Sequence, residues 1–146
     1  MVRFYLVRHA KAEKHAHGGD AARPLTSEGR DRFAAHAHAL APEVQVERIV
    51  TSPYRRALET AEVLAGATGA PVSEDAALAA GESDGRVLLR LAARLGAGTA
   101  VVGHNPEIAH AVALAADRDV EVKPGSVAAI DADGDRYHLA WIRPVG

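Results

Sequence analysis

The alternation of apolar runs with helical periods in this chain predicts an α/β fold: a three-layer α/β/α sandwich with a mainly parallel central sheet and an antiparallel C-terminal hairpin at the edge. Three observations carry it. Runs of β-forming residues at 2–7, 47–51 and 99–102 are spaced as strands are, and the first reads as a strand buried on both faces. Between them, apolar residues recur at helical spacing. Near the end, residues 126–130 and 136–141 flank Asp131-Ala132-Asp133-Gly134-Asp135, in which Asp133-Gly134 is a hairpin signal.

Taken in order, residues 2–7 form a central strand, and the polar stretch 11–20, with two glycines and two histidines, is a loop leaving its end. Pro24 to Glu28 starts a helix capped by Thr26 or Ser27, with Phe33, Ala37 and Leu40 facing inward until Pro42. After the strand 47–51, Pro53 fits the first turn of a second helix, which buries Ala57, Ala61, Leu64 and Ala65 and ends at Gly66 and Gly69. Val72-Ser73 is a short extra strand. Residues 84–95 place Val87, Leu88, Leu91 and Leu95 on one helical face closed by Gly96. Following the strand 99–102, a helix over 106–116 carries Ile108, Val112 and Ala115 inward, with Asn105 as its N-cap.

At 146 residues the chain fits one domain, and folding at this length buries roughly 70% of the unfolded surface. Lys+Arg 17 against Asp+Glu 19 gives a formal charge of −2, which argues against a general nucleic-acid surface, so any anion site is local. The absence of cysteine excludes disulfides, thiolate nucleophiles and cysteine-based zinc sites. Arg3 and Arg8 bracket only four apolar residues, against about 7–15 for a signal-peptide core and about 20 for a membrane span. The expected setting is therefore the cytoplasm, without membrane or nucleic-acid partners.

Chemistry-bearing residues collect where the strands stop. Arg8-His9 follows the first run, Gly103-His104-Asn105-Pro106 follows the third, and Ser52-Pro53 leads from the second into Arg55-Arg56. Ligands of open α/β sheets gather beyond the carboxyl ends of the strands, so these endings converge on one crevice. Two imidazoles and several guanidiniums suit a phosphate. A phosphoryl group in transfer spreads its charge over the non-bridging oxygens, and arginine's planar fork binds them bidentately while staying charged. Neither Walker-A nor Gly-x-Gly-x-x-Gly spacing is present. With no cysteine and no Gly-x-Ser-x-Gly elbow, the nucleophile at a strand end is an imidazole, that of His9 or of His104.

Leu6-Val7-Arg8-His9-Ala10, Arg23-Pro24-Leu25-Thr26-Ser27-Glu28-Gly29, Ser52-Pro53 with Arg56-Ala57-Leu58-Glu59-Thr60, and Val102-Gly103-His104-Asn105-Pro106 follow in the order and spacing of one family. Over residues 1 to about 115 the chain resembles the histidine phosphatase superfamily, related to the phosphoglycerate mutases, and in particular its small bacterial phosphohistidine phosphatases of SixA type. Ala10 departs from the family's usual Arg-His-Gly. The resemblance implies that His9 is the nucleophile, forming a phosphohistidine intermediate, and that Arg8, Arg56 and His104 hold the phosphoryl oxygens. Arg23 is a candidate to reach the same pocket from the start of the first crossover helix, and the Arg56-Ala57-x-x-Thr60 pattern favours Arg56 over Arg55. No metal ion or cofactor is implied. Glu82, with Asp84 behind it, is the candidate acid for an ester leaving group, although Asp84 also reads as a helix cap. His104 is expected to work protonated and His9 neutral, giving a bell-shaped pH profile.

About thirty residues separate Gly66 from Thr99, mostly one amphipathic helix, so a single domain over 1–146 without a lid insertion is expected. An open crevice admits a phosphohistidine, or another phosphorylated group, of a protein. The alternatives are a small-molecule phosphomonoester hydrolase, a non-catalytic phosphate-binding or phosphoprotein-binding module, and a histidine-cluster metallohydrolase. Oligomeric state is left open, with a monomer compatible. Against the metal, His36 and His38 lie two apart on a helix and diverge, and His15 and His17 sit in a loop, facing solvent or at the substrate rim. His110 and His138 read as packed or surface residues. Asp131-x-Asp133-x-Asp135 opens like a calcium loop, but Arg136 and Ile142 stand where glycine and glutamate are required.

Overall fold

Side chains of β1 (Val2–Arg8) alternate between two cores, which places this strand inside a layered structure. The computed structural model describes residues 1–146. The remaining elements are α1 (Ser27–Leu40), β2 (Arg48–Thr51), α2 (Arg55–Thr68), β3 (Val72–Glu74), α3 (Gly85–Leu95), β4 (Thr99–Gly103), α4 (Glu107–Ala116), β5 (Val127–Asp133) and β6 (Arg136–Arg143). The sheet order is β3-β2-β4-β1-β5-β6. β1 to β4 run parallel, whereas β5 is antiparallel to β1 and β6 to β5. No helix is long and apolar enough to cross a membrane.

On one face, Tyr5, Val7, Ile49 and Val102 pack against Phe33 and Ala37 of α1 and Ala57, Ala61 and Leu64 of α2. On the other, Phe4, Leu6, Val101 and Ile130 pack against Leu88 and Leu89 of α3 and Ile108 and Val112 of α4. Alanine at 57 and 61, both fully buried, lets α2 lie close on the sheet. Each fully buried large apolar side chain, such as Phe4 or Phe33, contributes about 1.5–3 kcal/mol.

Four local expectations need correction. α2 begins at Arg55, with Pro53 ahead of it, and runs through Gly66 to stop at Gly69. The buried face of α3 is Leu88, Leu89 and Ala92, while Val87 and Leu95 are 43% and 37% exposed, because α4 lies on the 88–92 stripe. At α4 the N-cap position falls on Pro106, although Asn105 Oδ1 still accepts the Ala109 N–H at 3.2 Å. The hairpin turns on Gly134-Asp135, one residue later than the Asp133-Gly134 signal, because Gly134 alone there takes a positive φ, +62°. The Thr26 cap stands: its hydroxyl oxygen accepts the Gly29 N–H at 2.8 Å.

Candidate active site

β1 and β4 are parallel neighbours with Arg8 opposite Gly103, so the next residue of each, His9 and His104, leaves the sheet beside the other. Their ring centroids are 5.2 Å apart. The chain departs from β1 toward α1 on one face and from β4 toward α4 on the other, which opens a crevice between the two strand ends. β2 ends on the far side of β4 with Thr51 opposite Val102, and Ser52 therefore arrives next to His104.

The resulting cavity, about 320 Å³, is lined by Arg8, His9, Arg23, Arg56, His104 and Asn105, with Lys11, Ala12, Ala80 and Pro124 completing the wall. Arg8, His9, Arg23, Arg56 and His104, the expected nucleophile and oxyanion-holding residues, are together here. Arg56 is buried and Arg55 is not: their side chains are 5% and 58% exposed, and Arg55 pairs with Glu59 at 3.0 Å. Glu82 and Asp84 do not line the cavity. Asp84 caps α3, accepting the Val87 N–H at 3.0 Å, so the helix-cap alternative is the observed one.

His9 Nδ1 lies 2.7 Å from the Ala10 carbonyl oxygen. A carbonyl only accepts, so the ring proton sits on Nδ1 and Nε2 carries the lone pair. Burial, reinforced by Arg56, Arg8 and Arg23, pushes His9 down to about 4 against the opposing Ala10 hydrogen bond. His104 is pushed down to about 3, first by burial, then by His9 and Arg56. The expected division into one neutral and one charged imidazole is therefore corrected for the free site: both rings are neutral at pH 7, because three guanidiniums and low exposure oppose a further positive charge.

His104 Nε2 is 2.8 Å from Ser52 Oγ, which also accepts the Tyr54 N–H at 3.1 Å. The edge of Tyr54 meets the His104 ring at 5.1 Å between centroids, and the Arg56 guanidinium lies 5.0 Å from the Tyr54 centroid. Thr60 ties α2 to the His9 loop: its Oγ1 accepts the Ala10 N–H at 3.0 Å and donates to the Arg56 carbonyl at 2.8 Å. Arg8 donates to the Val122 carbonyl at 2.9 Å, and Asn105 Nδ2 to the same oxygen at 3.0 Å.

Asp20 was not foreseen. Its carboxylate accepts from Arg23 Nε at 2.8 Å and from Arg56 Nη2 at 3.2 Å, bridging the two guanidiniums. Burial works to raise this carboxyl, but Arg23 and Arg56 outweigh it and hold the group below the usual range. The three-residue step from Asp20 to Arg23 was the available signal, muted because a short 3-10 turn at Asp20–Ala22 interrupts a stretch with no period. The contacts of Ser52 and Tyr54 with His104, and of Thr60 with Ala10, gave no signal either, since these partners are distant in sequence.

Buried polar atoms of cavity-lining residues lack partners. Five buried side-chain polar atoms in the protein have none, and three are Arg8 Nε, Arg56 Nε and His104 Nδ1. Each unmet group costs about 1–3 kcal/mol. The profile of the histidine phosphatase superfamily (branch 1) matches residues 4–88, more than half of the chain.

The chain belongs to the histidine phosphatase superfamily.

No curated protein matches it in sequence. Among solved structures, the protein histidine phosphatase SixA complexed with tungstate is 25% identical, with 97% of this chain and 96% of that chain covered and a TM-score of 0.85. An Agrobacterium tumefaciens protein assigned as a phosphohistidine phosphatase SixA is 22% identical over 98% and 97% of the two chains, with a TM-score of 0.85. An alpha-ribazole phosphatase from Shigella flexneri is 18% identical over 98% and 96%, with a TM-score of 0.75. Family and fold are those of a phosphatase.

Proposed function

We propose that this histidine phosphatase hydrolyses phosphohistidine, or another phosphorylated group, on a protein, through a covalent phosphohistidine at His9 and without a metal ion. The observation that carries the reading is the His9 ring: its Nδ1–H is held by the Ala10 carbonyl and its pKa is about 4, so Nε2 is an unprotonated nucleophile at the mouth of a cationic cavity. Nε2 attacks phosphorus in line and the bond to the leaving nitrogen or oxygen breaks. Arg8, Arg56, Arg23 and His104 neutralise the charge on the non-bridging oxygens, the work a metal performs elsewhere. A bound dianion raises the His104 pKa, so that ring takes up a proton as substrate binds. The leaving atom takes up a proton from solvent; water then attacks the phosphoenzyme, the P–Nε2 bond breaks, one proton of that water returns to solvent, and inorganic phosphate leaves with the other.

Two features favour phosphohistidine. No carboxylate lines the cavity to protonate a poor alkoxide leaving group, whereas the leaving nitrogen of a phosphoramidate needs less assistance. The segment between α2 and β4 holds only β3, a short 3-10 turn and α3, so a single domain without a lid leaves the crevice open to a side chain presented by another protein. The structural relative named as a protein histidine phosphatase agrees in substrate class, and the alpha-ribazole phosphatase keeps a small ester as the competing reading. The compartment we propose is the cytoplasm.

Rapid-quench incubation with a ³²P-labelled phosphohistidine protein tests the proposal. Label appears on the wild-type protein, stable to alkali and lost in acid, survives chelator treatment and is absent from His9→Ala. Turnover of free sugar phosphates with no action on the phosphohistidine protein overturns the substrate assignment. Equal labelling of His9→Ala overturns the mechanism.

A further inference from the structure

Of the three lysines of the chain, Lys11 lines the His9 cavity, and Lys123 and Lys14 line grooves that share wall residues with it; all three are exposed and none forms an ion pair. Two grooves flank the cavity. One, about 310 Å³, is walled by Lys11, Lys123 and Arg32 and shares Lys11 and Pro124 with the cavity. The other, about 520 Å³, is walled by Lys14, His15 and Arg23 and shares Arg23 with it. Each groove therefore adjoins the cavity that holds His9, and the three together make a trough at the active site.

The charge in this trough is opposite to that of the chain. The only carboxylates lining it are Glu28, which pairs with Arg32 at 3.4 Å, and Asp20, which pairs with Arg23 and Arg56. The protein as a whole has a formal charge of −2. We propose that the trough receives an acidic polypeptide segment, with carboxylates on both sides of the phosphorylated residue, one side on Lys11 and Lys123 and the other on Lys14. The inference rests on the phosphoprotein reading of the site and adds the partner's sequence character to it. Lysine fits this use: a compact charge on a flexible stem follows a carboxylate whose position varies, whereas the arginine forks below fix the phosphoryl oxygens. Unpaired cations around a mouth also steer an acidic partner toward it, an effect that salt screens.

Two synthetic phosphohistidine peptides, identical except for glutamates or glutamines flanking the phosphorylated residue, test the proposal beside para-nitrophenyl phosphate. At low salt the wild type shows a kcat/KM about tenfold higher for the glutamate peptide, and the preference shrinks as salt rises. The double variant Lys14→Glu, Lys123→Glu loses or inverts the ratio between the two peptides, a comparison made within one protein and so independent of its folded fraction. Equal kcat/KM for the two peptides in the wild type overturns this proposal and leaves the phosphohistidine reading standing, as does a preference that survives the lysine reversal. Hydrolysis of para-nitrophenyl phosphate with neither peptide cleaved overturns both.

Discussion

Asp20 holds Arg56 twice, accepting from one end of the guanidinium through its backbone carbonyl at 2.8 Å and from the other through its carboxylate at 3.2 Å. The backbone contact orients the arginine, while the carboxylate, on a side chain 59% exposed, competes with any oxyanion for the same fork. Asp20→Asn keeps the first and removes the negative charge of the second. Tungstate and inorganic phosphate then inhibit about threefold more tightly, the size expected for a half-exposed ion pair. Weaker inhibition would show that the carboxylate organises the site rather than competing in it.

Ser52 is the hydrogen-bond partner of His104 and is fully buried. Ser52→Ala leaves both ring nitrogens of His104 without a partner, at a cost of about 1–3 kcal/mol, and frees the ring to turn. We expect kcat to fall about tenfold and the melting temperature by roughly 2–8 °C, read by calorimetry and by hydrolysis of para-nitrophenyl phosphate. Unchanged kcat sinks the assignment of Ser52 as the group that positions His104.

The two site histidines make stability acid-sensitive. Both pKa values, about 4 for His9 and about 3 for His104, lie below the ordinary 6.5, so the unfolded chain binds more protons than the native one as the solution is acidified. Their contribution is fully present above about pH 6.5 and is lost as pH falls through about 4. Urea midpoints recorded across that range decline, and less steeply in His9→Gln. The acid limb of kcat/KM for the free enzyme likewise falls near pH 4 rather than pH 6; a limb near 6 contradicts a neutral free-site His9.

Neighbouring arginines separate cleanly. Arg56→Ala removes a buried fork from the cavity and lowers kcat/KM by at least about 100-fold, a loss of the size seen when one preorganised charge donor is deleted. Arg55→Ala removes only a surface pair with Glu59 and changes stability by about 0.5 kcal/mol or less, with activity within about twofold. Similar losses in both variants would mean that α2 is set in a different rotation.

Gly29 is required by a close approach. A Cβ there would meet the Lys11 carbonyl oxygen and stand 2.9 Å from Thr26 Oγ1, the cap of α1. Gly29→Ala pushes against backbone that leads straight out of the active site, costing about 1–3 kcal/mol and raising KM more than it lowers kcat. Wild-type stability in this variant would show that the Lys11 loop yields freely.

Much of the architecture was legible because its signals are local. The strand runs, the Thr26 cap and the placement of His9 and His104 at strand ends all follow from periodicity and from residues next to one another in sequence. The misplaced face of α3 has a different cause: Val87, Leu88, Leu89, Leu91, Ala92 and Leu95 offer two overlapping apolar stripes, and only the position of α4 chooses between them. Similarly, Asp20 carries no recognisable role until Arg56, thirty-six residues later, is folded against it.

By itself the sequence determined the layered fold and the cationic and imidazole residues that line the crevice, since strand ends of an open sheet share one crevice. The tertiary structure alone decided the charge state of the two imidazoles and the partner of each arginine. Both depend on burial and on the distances between groups brought together from separate strands, and those quantities exist only once the sheet has formed.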